Sequence, residues 1–114
     1  MGNWTENAFK KIDALYETSL LQVEYGIPAM TPKIKSVARH LISFICLDDI
    51  KYFISAGIDG SIEFELRFNN RTIYFNILDS GTVEYTDIHG EKKIIHGGLY
   101  ILDKKTIQQI IGGE

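Results

Sequence analysis

Residues 57–77 read GIDGSIEFELRFNNRTIYFNI, and this stretch decides the fold class. Ile62, Phe64, Leu66 and Phe68 alternate with Ser61, Glu63, Glu65 and Arg67. A period of two sends successive side chains to opposite faces of a strand. Ile73, Phe75 and Ile77 then alternate with Thr72, Tyr74 and Asn76. Asp59-Gly60 before the first run and Asn69-Asn70 between the two are hairpin-turn signals, because Gly and Asn tolerate left-handed backbone. The stretch therefore predicts two antiparallel strands with one apolar face and one polar face.

The same period extends in both directions. Ile50, Tyr52 and Ile54 alternate with Lys51, Phe53 and Ser55. Beyond a turn at Asp79-Ser80-Gly81, Val83 and Tyr85 continue the core face, with Thr82, Glu84 and Thr86 outside. His89-Gly90 reads as a fourth turn, Lys92 to Ile95 as a short edge strand, and Gly97-Gly98 as a break. LYIL, residues 99–102, reads as a further strand or as the approach to a helix.

Upstream the period is helical. Trp4, Ala8, Phe9, Ile12, Leu15 and Tyr16 form one stripe and predict a helix from about Thr5 to Leu21, capped by Asn3 or Thr5. Lys10, Lys11, Asp13 and Glu17 fall on its wet face. VEYGIPAMTP, with Gly26, Pro28 and Pro32, interrupts it. Thr31 is a good N-cap, and Pro32 suits the first position of a second helix, where its missing N–H is no loss. Ile34, Val37, Ala38, Leu41, Ile42 and Ile45 follow helical spacing, and Asp48-Asp49 ends the run. At the other end Asp103 is a credible N-cap for KKTIQQIIGG, with Ile107, Ile110 and Ile111 as its apolar face and Gly112 closing it. Segregated helices and strands predict an α+β domain spanning residues 1–114. Two N-terminal helices pack on one face of a four- or five-stranded antiparallel meander, and a short C-terminal helix follows.

Composition narrows the function classes. The chain has 114 residues, 45% hydrophobic and 24% charged, an ordinary balance for one globular domain. The formal net charge of −3 gives no support for a phosphate-binding surface. The basic residues Lys33, Lys35 and Arg39 of the second helix are few, and Phe64, Phe68 and Phe75 belong to the core face, so nucleic acid is not the expected partner. The single cysteine, Cys46, excludes an internal disulfide, and its apolar setting in LISFICL predicts a buried thiol. MGNWTENAFKKIDAL lacks the apolar core of a secretory signal, and Glu6 stands where a myristoylation signal wants Ser or Thr. No apolar run approaches the roughly 18 residues of a membrane span. A cytoplasmic protein is expected.

Motifs that carry chemistry are missing. His40, His89 and His96 fall in no zinc spacing, so no metal site or cofactor is expected. There is no phosphate-binding or dinucleotide-binding glycine pattern and no nucleophile elbow. HGG at residues 96–98 has no nucleophile motif beside it and reads as a loop. Glu63 and Glu65 share one strand face about 7 Å apart. Were the strand of Glu84 beside theirs, the three could hold a hard metal or act as an acid/base pair, whereas Arg67 and Lys51 would make them an ordinary solvated face. No catalytic residue is assigned.

The mixed face suits protein binding better. Phe53, Glu63, Glu65, Arg67, Tyr74 and Glu84 combine an aromatic anchor type with a polar rim. Phe53 and Leu78 break the polar alternation, and a second copy of the chain could cover them. The expectation is a non-catalytic module that binds a protein partner or itself. The alternative is a small ligand-binding domain or enzyme that uses the carboxylates or a helix–sheet cleft.

VEYGIPAMTPKIKSVARHLISFI and IDGSIEFELRF together resemble a group of small, mostly uncharacterised bacterial proteins. That group pairs a W-D-G-Y-G-A-x-P segment with a D-G-x-I-x-L-E-W meander. Asp59, Gly60, Ile62, Phe64 and Glu65 fit the second pattern, and Leu66 stands where the group has Trp. Of the first pattern, Tyr25-Gly26 and Pro28 are present and the Trp-Asp-Gly is absent. The resemblance covers roughly residues 4–85 and carries no catalytic residues with it. It implies a partner-binding protein of a mobile or defence-related gene setting, such as an antitoxin, an immunity protein or an inhibitor.

Overall fold

A computed structural model describes residues 4–45, 50–57, 59–90, 93–99 and 102–112. The elements are helix α1 (Trp4–Leu21), a 3₁₀ turn (Val23–Tyr25), helix α2 (Pro32–Phe44), strands β1 (Lys51–Ala56), β2 (Ile62–Phe68), β3 (Arg71–Ile77), β4 (Val83–His89) and β5 (Lys93–Leu99), and helix α3 (Lys104–Gly112). The five strands form one antiparallel sheet in the order β1-β2-β3-β4-β5. This is the α+β arrangement that the two periods predict. The expected Asn3 cap, the Cys46 thiol, the Asp48-Asp49 break, Lys92 and the Tyr100 and Ile101 positions of LYIL lie outside the described residues.

The core lies between the helices and one sheet face. From the sheet come Ile54, Ile62, Phe64, Leu66, Ile73, Phe75, Ile77 and Val83, all buried. From the helices come Trp4, Ala8, Ile12, Ile34, Ala38, Leu41, Ile42, Ile107, Ile110 and Ile111. Each fully buried aliphatic or aromatic side chain contributes about 1.5–3 kcal/mol. The inner-face alternation thus selects the register, since a one-residue slip would turn all of it to water.

Local chemistry sets the ends. Thr31 accepts a hydrogen bond from the Ile34 amide and starts α2 (3.2 Å). Asp103 accepts from the Thr106 amide and starts α3 (2.7 Å). Gly26, at φ +80°, closes the 3₁₀ turn. Thr5 sits within the first turn of α1 rather than before it, and its buried hydroxyl finds no partner among the described residues. Ser19 ties α1 to the connection that follows. It donates to the Tyr16 carbonyl (2.7 Å) and accepts from the Met30 amide (3.0 Å). Asp13, 44% exposed on the wet side of α1, joins α1 to α2 through Arg39 (3.1 Å) and Lys35 (3.4 Å).

Strand β5 differs from the sequence expectation. Gly97 and Gly98 do not break it but lie within it, paired with Tyr85 and Glu84. The Tyr85 ring lies on Gly97, so that a Cβ added there would stand 2.6 Å from Cζ and 2.7 Å from the hydroxyl oxygen. A glycine that weakens strand propensity is here covered by the ring of its cross-strand neighbour.

Candidate functional site

The helices leave the second sheet face open, and the strand register orders it into three rows. The upper row runs Lys51, Arg67, Thr72, Ile88, Ile94. The middle row runs Phe53, Glu65, Tyr74, Thr86, His96, and the lower row Ser55, Glu63, Asn76, Glu84, Gly98. All six residues expected to form a binding surface, Phe53, Glu63, Glu65, Arg67, Tyr74 and Glu84, lie on this face. Leu78 instead opens the turn after β3, half-buried, its amide bonded to the Thr82 carbonyl (2.9 Å).

Phe53 is 53% exposed and Ile94 62% exposed, one on each edge strand. The Arg67 guanidinium stacks over the Phe53 ring at 5.0 Å and its Nε donates to Glu65. Such stacking is worth about 0.5–1 kcal/mol at an exposed site. Thr86 and His96 are joined at 3.0 Å. Glu63, Tyr74, Asn76, Glu84 and Thr86 line a shallow hollow of about 340 Å³. A larger one of about 520 Å³ lies at the upper end, beside Lys51, Arg67, Asn69, Asn70 and Arg71.

The carboxylates are spread out. Strand β3 separates Glu63 from Glu84, with Asn76 between them. Two strand spacings put them roughly 10 Å apart. Among the described residues, no group of three His, Cys, Asp or Glu side chains could hold a metal ion. The helix–sheet cleft between α1 and β1 is lined by Lys11, Leu15, Thr18, Gln22, Ile27 and Ile54. Of the basic residues on α2, Lys35 and Arg39 are engaged with Asp13 and stack on Tyr16 and Phe9.

Two features escaped the sequence reading. The first is a polar cluster on the inner face. Arg71 donates from Nε to one oxygen of Asp87 (3.2 Å) and from Nη2 to the other (2.7 Å). It also donates to the carbonyls of Ile110 and Ile111, the last turn of α3. His89 Nε2 lies 3.1 Å from Asp87. Burial pushes the Asp87 carboxyl up, but hydrogen bonds and charge from Arg71, and then His89, hold it below the usual carboxylate range. Asp87 follows Val83 and Tyr85 at a spacing of two, which was its signal. The second feature is a corner where α1 ends. Leu20, Leu21, Val23 and Tyr25 are 49%, 71%, 53% and 78% exposed. Leu21 stands off the helical stripe that contains Ile12 and Tyr16, Leu20 lies at its edge, and Val23 and Tyr25 follow the end of α1.

No protein-family model, no curated protein and no solved structure matches the chain. Among the described residues, no helix is long and apolar enough to cross a membrane.

Proposed function

We propose that this chain is a non-catalytic interaction protein that binds a protein partner through its open sheet face. One observation carries the reading. A five-stranded face that the described helices leave uncovered presents an exposed aromatic ring beneath a guanidinium, with a half-buried tyrosine two strands away in the same row. Phe53, Arg67 and Tyr74 are the residue types that dominate protein interfaces, and the glutamates around them form a rim. The wide spacing of Glu63 and Glu84 favours recognition over paired acid/base chemistry. The sequence resemblance supports a chain that is itself of the antitoxin, immunity or inhibitor type.

The test is a Tyr74→Ala, Arg67→Ala double variant beside the wild type, each immobilised and exposed to lysate of the native host. Both side chains lie off the core, so the variant should keep its thermal unfolding midpoint and lose any stoichiometric partner. Equal capture by both proteins would overturn the reading.

A second contact surface is favoured by the exposed corner of Leu20, Leu21, Val23 and Tyr25. An apolar cluster of this kind marks an interaction site more often than isolated exposed side chains do.

A further inference from the structure

We propose that the occupant of the open face is a second copy of this chain, packed face to face about a two-fold axis that runs across the strands. The inference rests on the open-face reading above and names its partner.

Charge distribution selects the axis. The upper row carries Lys51 and Arg67, and the lower row carries Glu63 and Glu84. A two-fold lying between two such faces can run across the strands or along them. Across the strands, it exchanges upper and lower rows within each strand. Arg67 then meets Glu63 of the second copy, and Lys51 meets Ser55 with that Glu63 beside it. Thr72 meets Asn76. Both Arg67–Glu63 contacts form, because an isologous interface makes every contact twice. Along the strands, the axis exchanges β2 with β4 and sets Glu63 against Glu84, two like-charge contacts. Of the two, the first is the one that sets opposite charges together, Arg67 against Glu63.

Shape agrees with charge. Across the strands, Ile94 of one copy falls toward Gly98 of the other, offset by the crossing of the two sheets. Ile94 projects from the face, 62% exposed, and a Cβ on Gly98 would meet nothing within 4 Å. The middle row falls on itself, which brings the two Phe53 rings and the two Tyr74 rings toward each other. Glu65 also faces its own copy, one like-charge contact on the axis, with Arg67 Nε donating to it in each chain. The two Nη groups of that guanidinium remain for the second copy. Aligned sheets cross at about 30°, which displaces the edge strands more than β2, β3 and β4. Five strands of about seven residues make a face of roughly 20 by 24 Å. That is about 500 Å² per copy and about 1,000 Å² for the pair, the size of a weak or transient interface.

Charge reversal tests this directly. Arg67→Glu alone sets Glu against Glu63, and Glu63→Arg alone sets Arg against Arg67. Mixing the two variants restores both contacts in a heterodimer. By light scattering on a sizing column, each variant alone should dimerise at least about tenfold more weakly than wild type, and the equimolar mixture should recover to within about threefold. Ile94→Arg, remote from those charges, should also weaken the dimer. Circular dichroism checks that every variant is folded. A wild-type protein that stays monomeric up to about 1 mM would overturn the proposal. So would reversal variants that dimerise normally, or a mixture that stays monomeric. The lysate comparison separates the two readings. Loss of a different partner by the Tyr74→Ala, Arg67→Ala variant would keep the open face and remove the homodimer. No loss, together with a monomeric wild type, would remove both.

Discussion

Arg71 grips Asp87 through two hydrogen bonds, 3.2 and 2.7 Å long, on the sheet face that packs against the helices. Asp87 is 3% exposed. The same guanidinium caps the last carbonyls of α3, where the helix dipole favours a cation. One side chain thus fastens the sheet to the C-terminal helix.

Removing one member of this pair should be far worse than removing both. Asp87→Asn leaves a buried guanidinium without its counter-charge, and is expected to lower stability by about 3 kcal/mol. The double change Arg71→Met, Asp87→Leu should lower it by less. Denaturant unfolding measures both. A loss under about 1 kcal/mol for Asp87→Asn would show that the pair is not holding the fold.

Acid should weaken the fold through the same carboxylate. The folded-state pKa of Asp87 lies below its ordinary value. Its contribution is therefore fully present above the unfolded value of about 3.9 and is lost as pH falls below that toward the folded pKa. The wild-type unfolding midpoint should drop over this acid range more steeply than that of the Arg71→Met, Asp87→Leu protein. Parallel curves would contradict the assignment.

Gly97 should resist enlargement. Gly97→Ala drives a methyl into the Tyr85 ring and is expected to lose about 1–3 kcal/mol, typical of overpacking. Tyr85→Ser in the same chain should remove most of the extra loss. A double-mutant cycle with no coupling between the two positions would exclude the ring contact.

The exposed corner makes the opposite prediction. Leu21→Ser and Tyr25→Ser remove side chains 71% and 78% exposed, so stability should change by no more than about 0.5 kcal/mol. The same variants should leave the face-to-face dimer intact. A dimer lost with Leu21→Ser would place self-association at this corner.

The sheet and both long helices were legible in the sequence because hydrophobic period is a local signal. Ile62 to Phe68 could hardly point otherwise, and Thr31-Pro32 marks a helix start in two residues. The six residues of the open face were legible for the same reason, since each alternates with a core residue. Strand β5 was not legible at Gly97-Gly98, because what covers Gly97 is the Tyr85 ring of another strand. The Arg71–Asp87 clasp was hidden for a related reason. Its parity put Asp87 on the inner face, but a charge reads as surface until its partner is known. That partner, and the carbonyls that complete the cluster, come from other elements.

The strand order has a kinetic consequence. Every strand pairs with its neighbour in the chain, so each hairpin can close without waiting for a distant segment. The clasp is different in kind, joining Arg71 to a carbonyl 40 residues away. Closing so long a loop is entropically later than zipping a hairpin. The meander is therefore expected to assemble first and α3 to be locked down last. Ile107→Ala, which loosens α3 and leaves the meander's own contacts in place, should accelerate unfolding and leave the refolding rate nearly unchanged.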